Sequence, residues 1–160
     1  MKNLKIISTS SLYTMNIAKE LAHLLSTGDL IVLTGELGSG KTKFTEGFLT
    51  YYGIQDEISS PTFNIVNEYI SGNTNIYHFD VYRLESSEEF YAIGGEEYFN
   101  NGICLIEWGE IIKDVLPKNY LEIKIEKDFE LENKRILSIT AIGKRYEEIL
   151  DILKTRTKNI

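Results

Sequence analysis

The residues with the clearest capacity for chemistry form one run, Gly35-Glu36-Leu37-Gly38-Ser39-Gly40-Lys41-Thr42. The run fits the pattern G-x-x-x-x-G-K-[ST] at every fixed position. Its glycines let the backbone curl and turn peptide N–H groups inward, where they and the start of the next helix bind anionic phosphate. Lys41 would reach the β- and γ-phosphates of a nucleotide, and the Thr42 hydroxyl would bind Mg²⁺. The run therefore predicts a phosphate-binding loop, or P-loop.

The predicted elements on either side of this loop are those that a P-loop requires. Residues 30–33 (Leu-Ile-Val-Leu) have the composition of a short buried strand, and a helix is predicted from residue 41 to about residue 52. A glycine-rich turn with an incidental Lys-Thr pair is the alternative interpretation. The flanking strand and helix favour nucleotide binding over that alternative.

Two carboxylates come directly after other predicted strands. Asp80 follows Ile-Tyr-His-Phe (76–79), and Glu107 follows Ile-Cys-Leu-Ile (103–106). Ligand sites in open α/β sheets lie beyond the carboxyl ends of strands, so both acids are predicted beside the P-loop. One acid would hold Mg²⁺ or its water, and the other would position or deprotonate the attacking water. The sequence leaves these two roles unassigned, and a surface turn for Asp80 or a solvated strand end for Glu107 stays open.

Other polar and aromatic residues allow a functional and a structural interpretation. Thr62, after Ser-Pro (60–61), is a candidate to contact the γ-phosphate as a switch hydroxyl, or it is simply a loop threonine. Trp108 is either a core residue or a group that stacks on a ligand or partner. Arg83, one of four arginines, contacts phosphate or pairs with an acid. His78 alternates with Asp80 along its strand, and we interpret it as a packed histidine.

Composition limits the classes of function that remain. The chain has 160 residues and 42% hydrophobic content, and we expect one domain spanning residues 1–160. Its net charge of −7 argues against autonomous nucleic-acid binding, which needs a basic surface. The single cysteine, Cys104, lies in an apolar run and suits a reducing compartment. With no predicted signal peptide or membrane segment, we expect a cytoplasmic protein that does not contact a membrane.

The remaining pattern predicts an α/β domain whose sheet carries helices on both faces and added antiparallel strands. Before the P-loop, a strand is predicted at 4–7 and a helix at about 12–25. After it, a β-hairpin is predicted from strands at 63–70 and 76–82, followed by helical segments at 85–91 and 94–99. The C-terminal part is predicted as a strand at 103–106, a short helix at 110–115, a hairpin at 121–125 and 136–142, and a helix at 144–154.

Four motifs together resemble the bacterial TsaE family, also called YjeE, in order and spacing. They are Gly-Glu-Leu-Gly-Ser-Gly-Lys-Thr (35–42), Ser-Pro-Thr-Phe (60–63), His-Phe-Asp-Val-Tyr-Arg-Leu (78–84) and Ile-Glu-Trp (106–108). The first motif is common to many nucleotide-binding proteins, whereas the last two in combination are far more specific. The resemblance covers roughly the first three quarters of the chain, and the C-terminal hairpin and helix carry no matching motif.

This resemblance implies a three-layer fold like that of P-loop NTPases, with a central mixed sheet, and a small ATPase that uses ATP and Mg²⁺. Residues 35–42 would bind ATP together with Thr62 and Trp108. Thr42, Asp80 and Glu107 would hold the metal, with Asp80 as the Walker-B-like acid. Lys41, Asp80 and Glu107 would serve catalysis, and Glu107 and Trp108 match a functionally required pair. The family acts in tRNA threonylcarbamoyladenosine biosynthesis with a TsaD-like threonylcarbamoyl transferase and a TsaB-like companion, and does not itself form the modified base.

Two positions depart from the usual family pattern. Glu36 stands where aspartate is usual, and Gly109 stands where proline is frequent, which we expect to loosen the exit from the preceding strand.

A small-molecule kinase commonly needs several clustered arginines, which the sequence lacks. A GTPase needs Asn-Lys-x-Asp, and the nearest match, Asn-Lys-Arg-Ile (133–136), lacks the acid. A nucleotide-binding module without hydrolysis stays open.

Overall fold

The computed structural model describes residues 1–36, 38–54 and 65–158, and these contain seven strands, five α-helices and a 3₁₀ segment. The strands are β1 (Lys2–Ser8), β2 (Leu30–Thr34), β3 (Val66–Ser71), β4 (Thr74–Asp80), β5 (Ile103–Glu107), β6 (Tyr120–Lys127) and β7 (Arg135–Ile142). The helices are α1 (Ser11–Leu24), α2 (Lys41–Tyr51), α3 (Ser87–Ala92), α4 (Gly95–Tyr98) and α5 (Lys144–Thr157). A 3₁₀ segment, Gly109–Val115, follows β5.

Within the described residues the seven strands form one sheet in the order β1-β7-β6-β2-β5-β4-β3. The four neighbours β6, β2, β5 and β4 pair in parallel. At the edges, β3 pairs antiparallel with β4, β7 with β6, and β1 with β7. The predicted mixed sheet with antiparallel additions is therefore confirmed. Because four strands run the same way, their carboxyl ends meet at one edge.

Helices cover both faces of the sheet because its central strands are apolar on both sides. In β2, Ile31 and Leu33 pack into the cluster formed with α1, α2 and α5. Leu30 and Val32 point the other way, into the cluster that contains residues of α3 and the 3₁₀ segment. This double burial is typical of parallel strands and explains why β2 reads as a continuous hydrophobic run. The three-layer arrangement follows from it.

The helix that follows the P-loop is held directly against α1. Ser10 caps α1 by accepting a hydrogen bond from the Tyr13 N–H at 3.0 Å. Gly47 of α2 faces α1 so closely that a Cβ there would lie 2.4 Å from the Met15 carbonyl oxygen. A side chain at this position would push the helices apart. Gly47 therefore sets how closely α2 packs against α1.

Several predicted boundaries shift for local reasons. The predicted strand 76–82 ends at Asp80, whose Oδ1 accepts a hydrogen bond from the Tyr82 N–H at 3.1 Å and turns the chain. The predicted helix 110–115 is a 3₁₀ segment interrupted at Ile112, where φ is −115°. Residues 63–64 of the predicted strand 63–70 lie outside the described residues. No helix in the described part of the chain is long and apolar enough to cross a membrane.

We expect Gly47→Ala to lower the free energy of unfolding. Overpacking against Met15 costs about 1–3 kcal/mol, which exceeds the gain of at most about 1 kcal/mol that alanine brings to a helix interior over glycine. Urea denaturation followed by circular dichroism measures the change. Glu46→Ala on the same helix is the control, because it removes only an exposed ion pair with Lys43. A Gly47→Ala variant as stable as the parent would contradict the close approach.

Candidate functional site

A cleft of about 310 Å³ opens at the edge where the carboxyl ends of the parallel strands meet. The P-loop follows β2, Asp80 ends β4, and Glu107 ends β5. In the parallel register of β4 and β5, Asp80 lies directly opposite Glu107. The structure thus brings together most of the residues predicted from the sequence. Those that line the cleft are Gly38, Gly40, Lys41, Thr42, Asp80, Glu107 and Trp108.

The P-loop backbone adopts conformations that favour glycine. Gly35, Gly38 and Gly40 have φ values of 142°, 77° and 115°. A Cβ at Gly35 would lie 2.4 Å from the Ile125 carbonyl oxygen, so this position also lacks room for a side chain. Ser39 is buried, and its hydroxyl has no hydrogen-bond partner within the described residues. An unpartnered hydroxyl in a curled loop at a helix start suits an anionic ligand such as phosphate.

Lys41 is buried between a carboxylate and an aromatic ring. Its side chain is 9% exposed, and its Nζ lies 3.8 Å from Glu107 Oε1. The same Nζ lies 4.9 Å from the centroid of the Trp108 ring, which is cation–π range. A buried ammonium needs such partners, because losing water without compensation is costly. A phosphate in the cleft would compete with both partners for the lysine.

Glu107 is buried although it ends a strand. The residue is 6% exposed, which excludes the solvated strand end that the sequence left open. Its two oxygens have different partners, since Oε2 lies 2.7 Å from His78 Nε2 and Oε1 faces Lys41. The sequence did not predict the contact with His78. The alternation of His78 with Asp80 along β4 was the one available signal, because it places both on the same face of the sheet.

Asp80 combines a turn with a position on the cleft. It is partly exposed, and its Oδ1 accepts the hydrogen bond from the Tyr82 N–H that ends β4. The turn interpretation and the cleft interpretation are therefore both compatible with its position. Together with the exposed Thr42 side chain, Asp80 offers oxygen atoms of the kind that Mg²⁺ prefers.

Trp108 has an unusual backbone for a bulky residue. Its φ is 64° and its ψ is 30°, and it is the one non-glycine residue with positive φ within the described ranges. The left-handed region costs energy for such a residue, and this kind of strain concentrates at functional sites. The ring is partly buried and lies 5.0 Å from the Tyr82 ring, centroid to centroid. The kinked backbone thus directs the indole onto Lys41.

The remaining predicted residues lie elsewhere or outside the described part of the chain. Leu37 and Thr62 belong to the latter group, as does the Ser-Pro-Thr-Phe motif (60–63). Glu36 and Arg83 are exposed. Cys104 is fully buried, and burial raises the pKa of its thiol to about 12, so it is protonated at neutral pH and suits a core position.

Several residues that line the cleft were not singled out from the sequence. They are Ser11 and Thr14 of α1, Asn133 in the turn before β7, and Arg135 at the start of β7. A Cβ on Gly38 would lie 3.2 Å from Lys127 Nζ, so a second ammonium group stands beside the loop. The strand order brings in Lys127, Asn133 and Arg135, because β6 lies next to β2 and β7 next to β6. Ser11 and Thr14 reach the cleft because α1 packs against α2. The only local signal in the sequence is the polar run Thr-Ser-Ser (9–11), which is interpreted as a possible neighbour of the base or ribose.

The donor set suits Mg²⁺ bound together with phosphate. No group of three or more His, Cys, Asp or Glu side chains suitable for a metal occurs in the described ranges. Mg²⁺ commonly takes one or two protein carboxylates and completes its shell with water and substrate phosphate. A hydroxyl from Thr42 and carboxylates from Asp80 and Glu107 fit that pattern, whereas a cage built only from protein ligands does not.

Comparison with known proteins gives concordant matches. A family model described as threonylcarbamoyl adenosine biosynthesis protein TsaE matches residues 8–136. A tRNA threonylcarbamoyladenosine biosynthesis protein TsaE from Bacillus subtilis is 41% identical over 161 residues, covering 100% of this chain and 99% of the relative. A protein of the same description from Rickettsia conorii is 44% identical over 128 residues, covering 79% of this chain and 71% of the relative.

A solved structure is also similar. The crystal structure of Bacillus subtilis YdiB aligns with a TM-score of 0.81 and 37% sequence identity. The alignment covers 99% of this chain and 97% of that one. The similarity therefore extends through the C-terminal hairpin and helix, where the sequence carried no recognisable motif.

We expect Trp108 fluorescence to report nucleotide binding. Trp108 is the only tryptophan in the sequence, and its ring contacts Lys41. A nucleoside triphosphate with Mg²⁺ would draw Lys41 from the indole and change its emission saturably. Adenosine is the matched control, since it lacks the phosphates that bind Lys41. An equal response to adenosine and ATP would contradict this use of Lys41.

Proposed function

The chain belongs to the TsaE family, and from that membership we propose that it binds and hydrolyses ATP, with Mg²⁺, in the biosynthesis of tRNA threonylcarbamoyladenosine. The observation that carries the proposal is the placement of the P-loop lysine against a buried strand-end carboxylate, Lys41 Nζ to Glu107 Oε1 at 3.8 Å. A lysine paired in this way is ready to exchange its carboxylate for phosphate. The exposed Thr42 and the strand-end Asp80 stand in the same cleft.

Each residue of the cleft has a proposed role in hydrolysis. Inward peptide N–H groups of the P-loop bind the phosphates, and Lys41 compensates their charge. Thr42 and Asp80 supply oxygen ligands for Mg²⁺, which when bound neutralises charge on the β- and γ-phosphates. Glu107 presents Oε1 to the cleft once Lys41 has turned to the phosphates. There it holds a water, either one bound to Mg²⁺ or the one that attacks the γ-phosphate.

We further propose that the partners are a TsaD-like threonylcarbamoyl transferase and a TsaB-like companion, and that they raise a weak basal ATPase activity. The support is family membership together with the net charge of −7, which disfavours direct binding to tRNA. On this proposal the chain acts in the cytoplasm and leaves formation of the modified base to the transferase. Its nucleotide state controls the turnover of the complex.

The arginines weigh against the small-molecule kinase. Arg145 binds Asp29 through two hydrogen bonds of 2.7 and 2.6 Å, and Arg156 pairs with Glu20 at 3.2 Å. Arg135 lines the cleft, whereas Arg83 is exposed. A kinase that must neutralise phosphates on two substrates commonly uses several arginines, and of the four only Arg135 lines the cleft. The module without hydrolysis remains the competing proposal, and turnover measurements decide between the two.

The first test measures steady-state hydrolysis of Mg-ATP by the purified chain, alone and with the TsaB–TsaD pair. We expect slow hydrolysis alone, clear stimulation by the pair, and loss of activity when EDTA removes Mg²⁺. Transfer of phosphate to a small acceptor would favour the kinase. ATP binding without hydrolysis under any of these conditions would establish the nucleotide-binding module instead.

Lys41→Ala should abolish both binding and hydrolysis of Mg-ATP, because the variant loses the charge that compensates the phosphates. Lys154→Ala, an exposed lysine on α5, is the control for the loss of one positive charge. Isothermal titration calorimetry measures binding, and phosphate release measures hydrolysis. Normal binding and turnover by Lys41→Ala would refute the proposed function.

Glu107→Gln should hydrolyse Mg-ATP about 10²-fold or more slowly while still binding it. The amide keeps the size of the side chain but cannot accept a proton, and general-base contributions are typically of this size. Single-turnover phosphate release at saturating Mg-ATP measures the chemical step, and calorimetry checks binding. Hydrolysis at the parent rate would remove Glu107 from the catalytic step.

A further inference from the structure

Beneath the cleft lies a buried histidine that the proposed mechanism has not used. His78 is 2% exposed, and its Nε2 lies 2.7 Å from Glu107 Oε2. We propose that His78 is a positioning residue that fixes one oxygen of Glu107 and leaves only Oε1 for the cleft. The inference deepens the proposed function and rests on it. The burial of His78 confirms the prediction of a packed histidine, and the inference adds a task to it.

The strand register explains why His78 reaches Glu107 from below. In the parallel pairing of β4 and β5, His78 lies opposite Leu105, and Asp80 lies opposite Glu107. Side chains at alternate positions share a face, so His78 stands on the face of Asp80, one pleat further from the cleft. Two positions earlier, Ile76 is fully buried in the cluster with α1 and α2. His78 therefore occupies the boundary between the apolar core and the catalytic edge.

Hydrogen bonding assigns the direction of this contact. A carboxylate only accepts hydrogen bonds, so the ring hydrogen belongs on Nε2, which donates to Oε2. His78 Nδ1 has no partner in the part of the chain that the structure describes. With the hydrogen on Nδ1, a buried donor would be left unsatisfied and two acceptors would face each other, which is the more costly arrangement. The tautomer with hydrogen on Nε2 makes the hydrogen bond to Oε2 and leaves only an acceptor, Nδ1, without a partner in the described residues.

An apolar residue would fill this buried position without the cost of a polar ring. Ile76 does so two residues earlier on the same strand and face. What the histidine adds is the hydrogen bond, and a bond to an ionised acceptor is among the stronger kinds. Glu107 has three rotatable side-chain bonds, so without an anchor its carboxylate would sample several positions in the cleft. An anchored Oε2 keeps Oε1 in one place.

The position of Lys41 shows why such an anchor matters. Its Nζ lies 3.8 Å from Oε1, longer than the 2.7–2.9 Å or so of a direct ammonium–carboxylate hydrogen bond. Glu107 is thus held by the histidine and only loosely by the lysine. Lys41 can turn to phosphate without releasing the carboxylate from its place. Because the two oxygens of Glu107 have different partners, Glu107 can hold a water while Lys41 binds the phosphates of the nucleotide.

The test compares His78→Gln and His78→Leu with the parent, in full-length protein with the TsaB–TsaD pair. Glutamine places an amide N–H near the position of Nε2, whereas leucine fills space without a donor. We expect His78→Leu to lower kcat about tenfold or more with KM for Mg-ATP changed much less, as for a displaced catalytic group. His78→Gln should recover most of the rate. Ile76→Ala controls for destabilisation, since it disturbs the same strand without touching Glu107.

A second readout follows the histidine itself. The sequence has two histidines, and His23 is exposed with its Nδ1 2.7 Å from the Tyr51 hydroxyl, so ¹⁵N ring spectra are simple to assign. We expect His78 to show a hydrogen on Nε2 whose signals shift in Glu107→Gln, while those of His23 stay unchanged.

The possible results separate the two proposals. Parent kcat in His78→Leu, or equal losses in His78→Leu and His78→Gln that match the loss in Ile76→Ala, would overturn the positioning role alone. An inactive parent protein would overturn the proposed function instead.

Discussion

The parallel pairing of β2, β5 and β4 is the constraint on which the rest of the site depends. It brings three strand ends to one edge, so the P-loop, Asp80 and Glu107 meet although they are far apart in sequence. Antiparallel pairing would send alternate strand ends to opposite edges. The apolar residues on both faces of these strands make the parallel arrangement stable, because helices bury both faces. The apolar residues that stabilise the core therefore also determine where the residues of the site meet.

The cleft also depends on a balance of buried charges. Lys41 and Glu107 are both nearly inaccessible, and each would be costly to bury alone. The ring face of Trp108 compensates part of the charge on Lys41, and a hydrogen bond from His78 compensates part of the charge on Glu107. Neither charge is fully satisfied by the other, since their closest atoms are 3.8 Å apart. Each charge therefore keeps capacity for a further partner, which the proposed phosphate ligand requires of Lys41.

Local patterns were sufficient to predict the P-loop, both strand-end acids and nearly every helix and strand. They were insufficient where residues meet through strand order. Lys127 and Arg135 reach the loop only because β6 pairs with β2, and the hydrogen bond from His78 to Glu107 exists only because β4 pairs with β5 in one register. Gly109 shows a second limit. It was expected to loosen the strand exit, yet a Cβ there would lie 2.8 Å from a Val32 methyl group, so its absence permits close packing.

The contact of Gly47 with the Met15 backbone has a consequence for the ligands that the cleft accepts. No side chain separates α1 from α2 at this point, so the two helices cannot approach further, and their shared apolar core keeps them from parting. Ser11 at the start of α1 and Thr42 in the first turn of α2 both line the cleft, so this packing sets the spacing between them. A ligand that contacts both helix starts therefore meets a spacing that is set by backbone packing and not by side chains that can move aside.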